Sequence, residues 1–215
     1  MDRIKKLCSY LQPCTTFADV ACDHGYCAQY MLKNRLCESA VISDISAKSL
    51  SKAENLLSDY IAEGKCRSVC CDGLTLIPKD TEQVLIAGIG GEEIIKILKT
   101  SYIPKNFVFQ PMKNAPALRK FLLQSGCKIN KDDIFTDGKN YYFVICGANS
   151  GDNGKYSAAQ FEYGKDSLNN CVLKEYLKEE LSKRQSYLSG NMTEESRSTI
   201  LKSIQEINSV LNEIN

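Results

Sequence analysis

The sequence holds a single histidine, His24, and its eleven cysteines form no C-x-x-C pair. These two shortages exclude the usual zinc frameworks, which need Cys and His ligands at short fixed spacings, and no metal is expected. The cysteine count is odd and unpatterned, so the thiols are expected to stay reduced, as in a cytoplasmic protein. No apolar run is long enough to cross a bilayer, and the first residues, Met-Asp-Arg-Ile-Lys-Lys-Leu, do not read as a secretory leader. No membrane partner is expected. Neither charge is in excess, with 27 Lys and Arg against 26 Asp and Glu. A polyanion would therefore be held by a local basic patch rather than by a global field. The G-x-G-x-x-G turn of nicotinamide enzymes is also missing.

What is present fits one domain with an appendage: 215 residues, 43% hydrophobic and 25% charged. Short apolar segments predict strands at Thr16–Ala21, Ala40–Ser43, Cys66–Cys71, Gln83–Ala87, Phe107–Gln110, Lys128–Thr136 and Asn140–Gly147. Helical patterns at Tyr26–Leu36, Ala47–Glu63, Glu92–Lys99 and Ala115–Ser125 alternate with the earlier ones. Such alternation predicts an α/β fold, a parallel sheet with helices on both faces. Asp137-Gly138 favours a tight antiparallel hairpin for the last two strands. A mostly parallel, Rossmann-like sheet whose last strand is antiparallel is the layout of class I methyltransferases.

Asn149–Gly154 is a polar, glycine-bearing linker, and the pattern changes after it. Two long helices are predicted at Leu168–Leu188 and Glu194–Ile214, with Gly190 closing the first and Thr193 opening the second. Ile200, Ile204, Ile207, Leu211 and Ile214 repeat at coiled-coil spacing, opposite Leu173, Leu177, Leu181 and Leu188. The expected division is a methyltransferase-like domain at 1–155 and an antiparallel helical hairpin at 156–215. The hairpin carries 7 Lys and Arg against 9 Asp and Glu, so it is not a basic arm. A monomer or weak homodimer is expected.

The richest segment is Asp19-Val-Ala-Cys-Asp-His-Gly-Tyr26, where a strand runs through a tight turn into a helix. Small residues there let a nucleotide-like ligand approach the backbone. Asp19, Ala21, Cys22, Asp23, His24 and Gly25 are therefore candidate cofactor residues. Asp44, with Ile45 after it, ends the next strand, where a carboxylate can accept both hydroxyls of a ribose. Asp72 and Gly73 end the third strand, placing an acceptor for an adenine amine. Gly88 and Gly90, in Ala87-Gly-Ile-Gly-Gly91, bring backbone against a ligand. Together these suit S-adenosylmethionine. His24 either orients a substrate or caps the helix, and Tyr26 either stacks on a base or packs in the first helical turn. A [DN]-P-P-[YFW] loop is absent, and Gln110-Pro111-Met112 carries no nucleophilic thiol. The acceptor must then be nucleophilic by itself.

With Asp-Val-Ala-Cys-Asp-His-Gly-Tyr, Cys-Asp-Gly-Leu, Ala-Gly-Ile-Gly-Gly and Gln-Pro-Met in order, the chain resembles the bacterial tRNA (adenine-22, N1)-methyltransferases. Their Asp-Ile-Gly-Ser-Asp-His-Ala-Tyr turn and Ala-Gly-Met-Gly-Gly loop match at Asp19–Tyr26 and Ala87–Gly91. The resemblance covers about residues 1–150 and extends to the family's carboxyl-terminal coiled coil. It implies methyl transfer to ring N1 of an adenosine in the D arm of tRNA. Ala21 stands in place of a glycine, Gly25 of an alanine, Ile89 of a methionine, and Met112 where many members have asparagine.

Adenine N1 carries an in-plane lone pair, so no base is needed, and the product ring becomes cationic. Asp23 is the candidate to stabilise that charge, by preorganised electrostatics. Gln110, Pro111, Met112 and Lys113 are candidates for the acceptor side. Arg119, Lys183 and Arg184, with Arg3, Lys5, Lys6 and Lys120, are candidate RNA contacts. Two other readings stay open: methyl transfer to a different RNA or to protein, and an RNA-binding module that keeps the fold without turnover.

Overall fold

Seven strands form one sheet, and their side chains alternate between two cores. The computed structural model describes residues 3–214. Its strands are β1 (Thr16–Val20), β2 (Ser39–Asp44), β3 (Cys66–Cys70), β4 (Gln83–Ile89), β5 (Asn106–Pro111), β6 (Lys128–Asp137) and β7 (Asn140–Ala148). The helices among them are α1 (Arg3–Cys8), α2 (Tyr26–Lys33), α3 (Ala47–Leu56), α4 (Ser58–Ala62), α5 (Gly91–Thr100) and α6 (Ala115–Gln124). After the sheet come α7 (Ala158–Tyr163), a 3-10 turn at Ser167–Asn169, α8 (Cys171–Tyr187) and α9 (Glu194–Glu213).

The sheet order is β3-β2-β1-β4-β5-β7-β6, with β1 to β5 mutually parallel and β7 antiparallel to both neighbours. This is the predicted mostly parallel sheet. The last hairpin closes where Asp137 pairs with Asn140, across a left-handed Gly138. Period-two alternation then sorts the side chains. Phe17, Ile42, Leu85, Val108 and Val144 face α1, α2 and α3, where Leu7, Met31, Leu50 and Ala53 complete the packing. Ala18, Val84, Ile86, Phe107, Phe109 and Ile145 face the opposite way, onto Ile94, Leu98, Leu118 and Leu122 of α5 and α6.

A third cluster joins the carboxyl-terminal helices to the sheet. Ile134 of β6 is buried with Leu173 and Leu177 of α8 and with Ile207 and Val210 of α9, and Tyr141 and Phe143 of β7 pack alongside. The 4-3 stripe is therefore buried chiefly near the sheet, whereas Tyr187 and Leu201 are exposed. Thr193 caps α9 as expected, accepting from the Ser196 amide. Gly190 does not close α8, which ends at Tyr187 and passes through a right-handed Leu188. The start of α8 also differs, because the Asn170 side chain accepts from the Val172 amide and opens the helix there. The predicted Ala47–Glu63 helix breaks at Leu57, whose side chain is fully buried. Among the described residues, no helix is long and apolar enough to cross a membrane.

Candidate active site

The turn after β1 builds the site. Ala21 sits at φ 59 and Gly25 at φ 76, so the backbone twice enters the left-handed region within five residues. Gly25 meets this without cost, and a Cβ there would press on Leu57 and Ala53 at 3.0 and 3.1 Å. Ala21 carries a Cβ in a conformation that costs roughly 1–2 kcal/mol for an L-residue. Ala21→Gly is expected to raise stability by up to about 1 kcal/mol, part of the relief being lost to the looser unfolded chain. Urea unfolding checks this, and an unchanged or lowered midpoint contradicts it.

Around that turn lies a cavity of about 540 Å³, at the carboxyl ends of β1 and β4. Ligands of open α/β sheets bind at this edge. Of the predicted cofactor residues, Asp19, Ala21, Cys22, Asp23, His24, Gly25, Asp44 and Gly88 line it, as does Tyr26. Ile45, Asp72, Gly73 and Gly90 do not. Ile45 lies just outside, 71% exposed. Asp72 also lies outside: it follows β3, which the strand order puts two strands from β1. Asp23 and Asp44 thus line one cavity, and Asp72 lies beyond its walls, after β3.

The carboxylates differ in character. Asp19 is buried, and burial raises its pKa to about 6, although the Cys22 thiol and the Ala28 amide pull it back. Asp23 is half exposed, with Lys52 Nζ at 2.8 Å and His24 Nε2 at 3.0 Å. Lys52, followed by His24, holds its carboxyl below the usual range. Asp44 accepts from the Ser46 amide at 2.7 Å through Oδ1, which fixes the turn into α3 and leaves Oδ2 without a partner in that turn. His24 stacks on Tyr26 with ring centroids 5.4 Å apart, and Tyr26 is exposed, so it is not a core residue.

Sequence reasoning missed one wall. Helix α1 brings Arg3, Ile4 and Leu7 to the crevice. Arg3, predicted to contact RNA, turns inward: its Nε donates to Gln110 Oε1 at 2.9 Å and its guanidinium lies 5.4 Å from the Tyr142 ring. Gln110 is itself fully buried, and it meets the crevice wall through its bond to Arg3. Pro111, Met112 and Lys113 instead line a neighbouring cavity of about 350 Å³. The two cavities adjoin, because the Met112 amide donates to the carbonyl of Ile89, a residue of the crevice wall, at 2.8 Å.

Two of the predicted RNA contacts are committed elsewhere. Arg119 is completely buried, bonded through Nε to both oxygens of Asp132 at 2.9 Å and through Nη1 to the Phe161 and Glu162 carbonyls. It offers nothing to a phosphate. Arg184 spans the hairpin, donating to Ser203 Oγ at 2.7 Å and pairing with Glu180. Lys183 is exposed, with Glu180 at 3.0 Å, and Lys5 and Lys120 are exposed as expected. A larger cavity, about 910 Å³, opens at the opposite edge, near Tyr10, Gln83, Asn106 and Lys131, away from the β1 turn. Among the described residues no group of three or more His, Cys, Asp or Glu side chains is placed to hold a metal.

A Mycoplasma pneumoniae protein with the provisional name of tRNA methyltransferase is 34% identical over 133 residues, 60% of this chain and 61% of that protein. The chain thus spans about three fifths of the length of the curated relatives it matches. M. capricolum TrmK, solved with S-adenosyl-homocysteine, superposes with a TM-score of 0.90 at 21% identity, covering 100% of this chain and 99% of that one. The B. subtilis M1A22 tRNA methyltransferase TrmK gives 0.84 at 22% identity, covering 99% and 97%. At such identities the solved structures show a shared fold. The family model described as a methyltransferase domain matches residues 1–145, well over half the sequence, and the chain therefore belongs to that family.

Proposed function

We propose that the protein transfers a methyl group from S-adenosylmethionine to ring N1 of adenosine 22 in the D arm of tRNA. The observation that carries this reading is the crevice itself, in which Asp19, Asp23 and Asp44 meet at the carboxyl edge beside a left-handed backbone turn. Asp23 is left for the acceptor, and Asp19 and Asp44 suit a cofactor that bears cationic centres and a ribose diol. Its sulfonium supplies an electrophilic methyl, and the chain supplies position and charge. On this reading Asp44 accepts from the diol through Oδ2, and exposed Ile45 offers an apolar face to the adenine ring. Asp23 and Tyr26 stand at the rim, toward the acceptor. The family membership and the named relatives support the same reaction and substrate class.

On this reading residues 1–155 carry the cofactor crevice, residues 156–215 form an accessory helical unit, and the protein works in the cytoplasm with its tRNA. The direct experiment incubates an unmodified tRNA transcript with labelled S-adenosylmethionine and then extends a primer through it. N1 methylation blocks the pairing face, so a stop opposite adenosine 22 is expected. Label incorporated elsewhere, or none, contradicts the proposal.

Asp19 adds a pH dependence. Its folded pKa of about 6 lies above the ordinary 3.8, so protonation favours the ligand-free fold, and that contribution is lost as pH rises through 6. A cationic cofactor needs the ionised form. Cofactor affinity is expected to hold above pH 6 and to fall by up to about tenfold per unit below it. Asp19→Asn should weaken binding and flatten the profile. Calorimetric titration across pH 5–8 checks this, and a wild-type profile flat through pH 6 refutes it.

A further inference from the structure

The cavity beyond the Pro111–Asn114 loop has a makeup that the methyl-transfer crevice does not. Its walls are Tyr141 and Phe143 of β7, Tyr163 of α7, Tyr176 of α8, and the loop that carries Met112 and Lys113. Tyr176 stands edge-on to both strand rings, at 5.2 Å from Tyr141 and 5.8 Å from Phe143. The rings pack on the cluster that joins the hairpin to the sheet, and beyond them about 350 Å³ stays open, a volume in the range of small-ligand pockets.

Its location is as telling as its walls. Phe109 pairs with Ile145, so Phe143 and Tyr141 lie past that rung, at the carboxyl edge of β5. This is the edge that holds the cofactor crevice. The Met112 amide to Ile89 carbonyl bond joins one wall of this cavity to one wall of the crevice.

The chemistry fits a nucleotide. Aromatic faces take any base by stacking, which is tolerant of sequence. Lys113, exposed at the mouth, provides a cation for a phosphate, and the Glu162 carboxylate provides an acceptor for amino groups on a base edge. Burial lifts the Tyr176 phenol to about 12 and raises the Tyr163 phenol as well, so both remain protonated donors at neutral pH.

We propose that the cavity formed by Tyr141, Phe143, Tyr163 and Tyr176 is a second nucleobase site, which takes an unpaired base adjoining the target adenosine in the RNA strand. This rests on the tRNA reading above and assigns the junction of sheet and hairpin a role in holding substrate. Removing the target from its stack costs free energy, and capture of a neighbour would offset part of that.

The test uses full-length protein with S-adenosyl-homocysteine and a tRNA transcript carrying 2-aminopurine on either side of adenosine 22. Wild type is expected to change the fluorescence at one flanking position. Tyr176→Leu should abolish that change and weaken RNA binding about five- to hundredfold, the range for loss of one stacked base, with cofactor affinity kept. Tyr141→Leu, at the strand end and outside the deep core, gives the same reading should Tyr176→Leu loosen the hairpin. Wild-type affinity and fluorescence in both leucine variants overturn the inference. Wild type that binds tRNA without methylating it refutes the parent reading instead, and the binding data still decide on the subsite.

Discussion

Arg119→Ala is expected to lower unfolding stability by about 3–5 kcal/mol, enough to leave the fold marginal. The Arg119 and Asp132 side chains are 0% and 1% exposed, so truncating one strands an unpaired charge in the interior. Burial already pushes the Asp132 carboxyl up, and Arg119 is what pulls it back down. The same guanidinium serves the Phe161 and Glu162 carbonyls of α7 and lies 5.0 Å from the Phe143 ring. Asp132 in turn accepts at its carbonyl from the Asp166 amide, and its own amide donates to the Asp166 carboxylate. One buried ion pair thus ties α6, β6 and residues 161–167 together.

A double replacement, Arg119→Met with Asp132→Leu, removes both charges and should recover much of the loss. It should not recover all of it, because the Phe161 and Glu162 carbonyls stay without their donor. Urea unfolding of the three proteins checks this. An Arg119→Ala midpoint within error of wild type would show that the pair contributes nothing.

Arg119 also shows where a sequence stops being legible. A cation in a helix is assumed to be solvated, and nothing local marks this one as buried. Its partner lies in Asn130-Lys-Asp-Asp133, a run that reads as an exposed edge, yet Asp132 points inward and Asp133 accepts from Tyr10 and Asn170. The strands were readable because their apolar alternation is local and is the cause of the two cores. Helix α7 carried a readable signal, Ser157-Ala-Ala-Gln160, which forms a capping box. Helix α1 carried none, since Arg3 meets Gln110 across 107 residues of chain. The crevice was legible as far as the β1 turn and Asp44, whose order follows from adjacent strands. Asp72 follows β3, two strands from β1, and lying at a strand end fixes the edge of the sheet and not the distance along it.

Asp23→Asn is expected to lower the methyl-transfer rate about 100-fold while tRNA binding is kept, a loss of the size seen when one preorganised electrostatic group is removed. During transfer, positive charge leaves sulfur and appears on the adenine ring. A carboxylate aimed at sulfur stabilises the bound cofactor at least as well as the transition state, and losing it weakens cofactor binding without slowing chemistry. A carboxylate aimed at the ring acts only as charge arrives, and losing it lowers kcat with cofactor affinity kept. Asp23 stands at the exposed rim, where Lys52 and His24 face it from one side and keep it ionised. Since Lys52 holds the carboxyl below the usual range, the rate should show no loss through Asp23 between pH 5 and 8. Lys52→Ala should not reproduce the defect, because it leaves the negative charge in place and less neutralised. Single-turnover rates set beside cofactor titrations separate these cases. Full turnover by Asp23→Asn would remove the residue from the chemistry, and a defect confined to cofactor affinity would move it from the acceptor to the sulfonium.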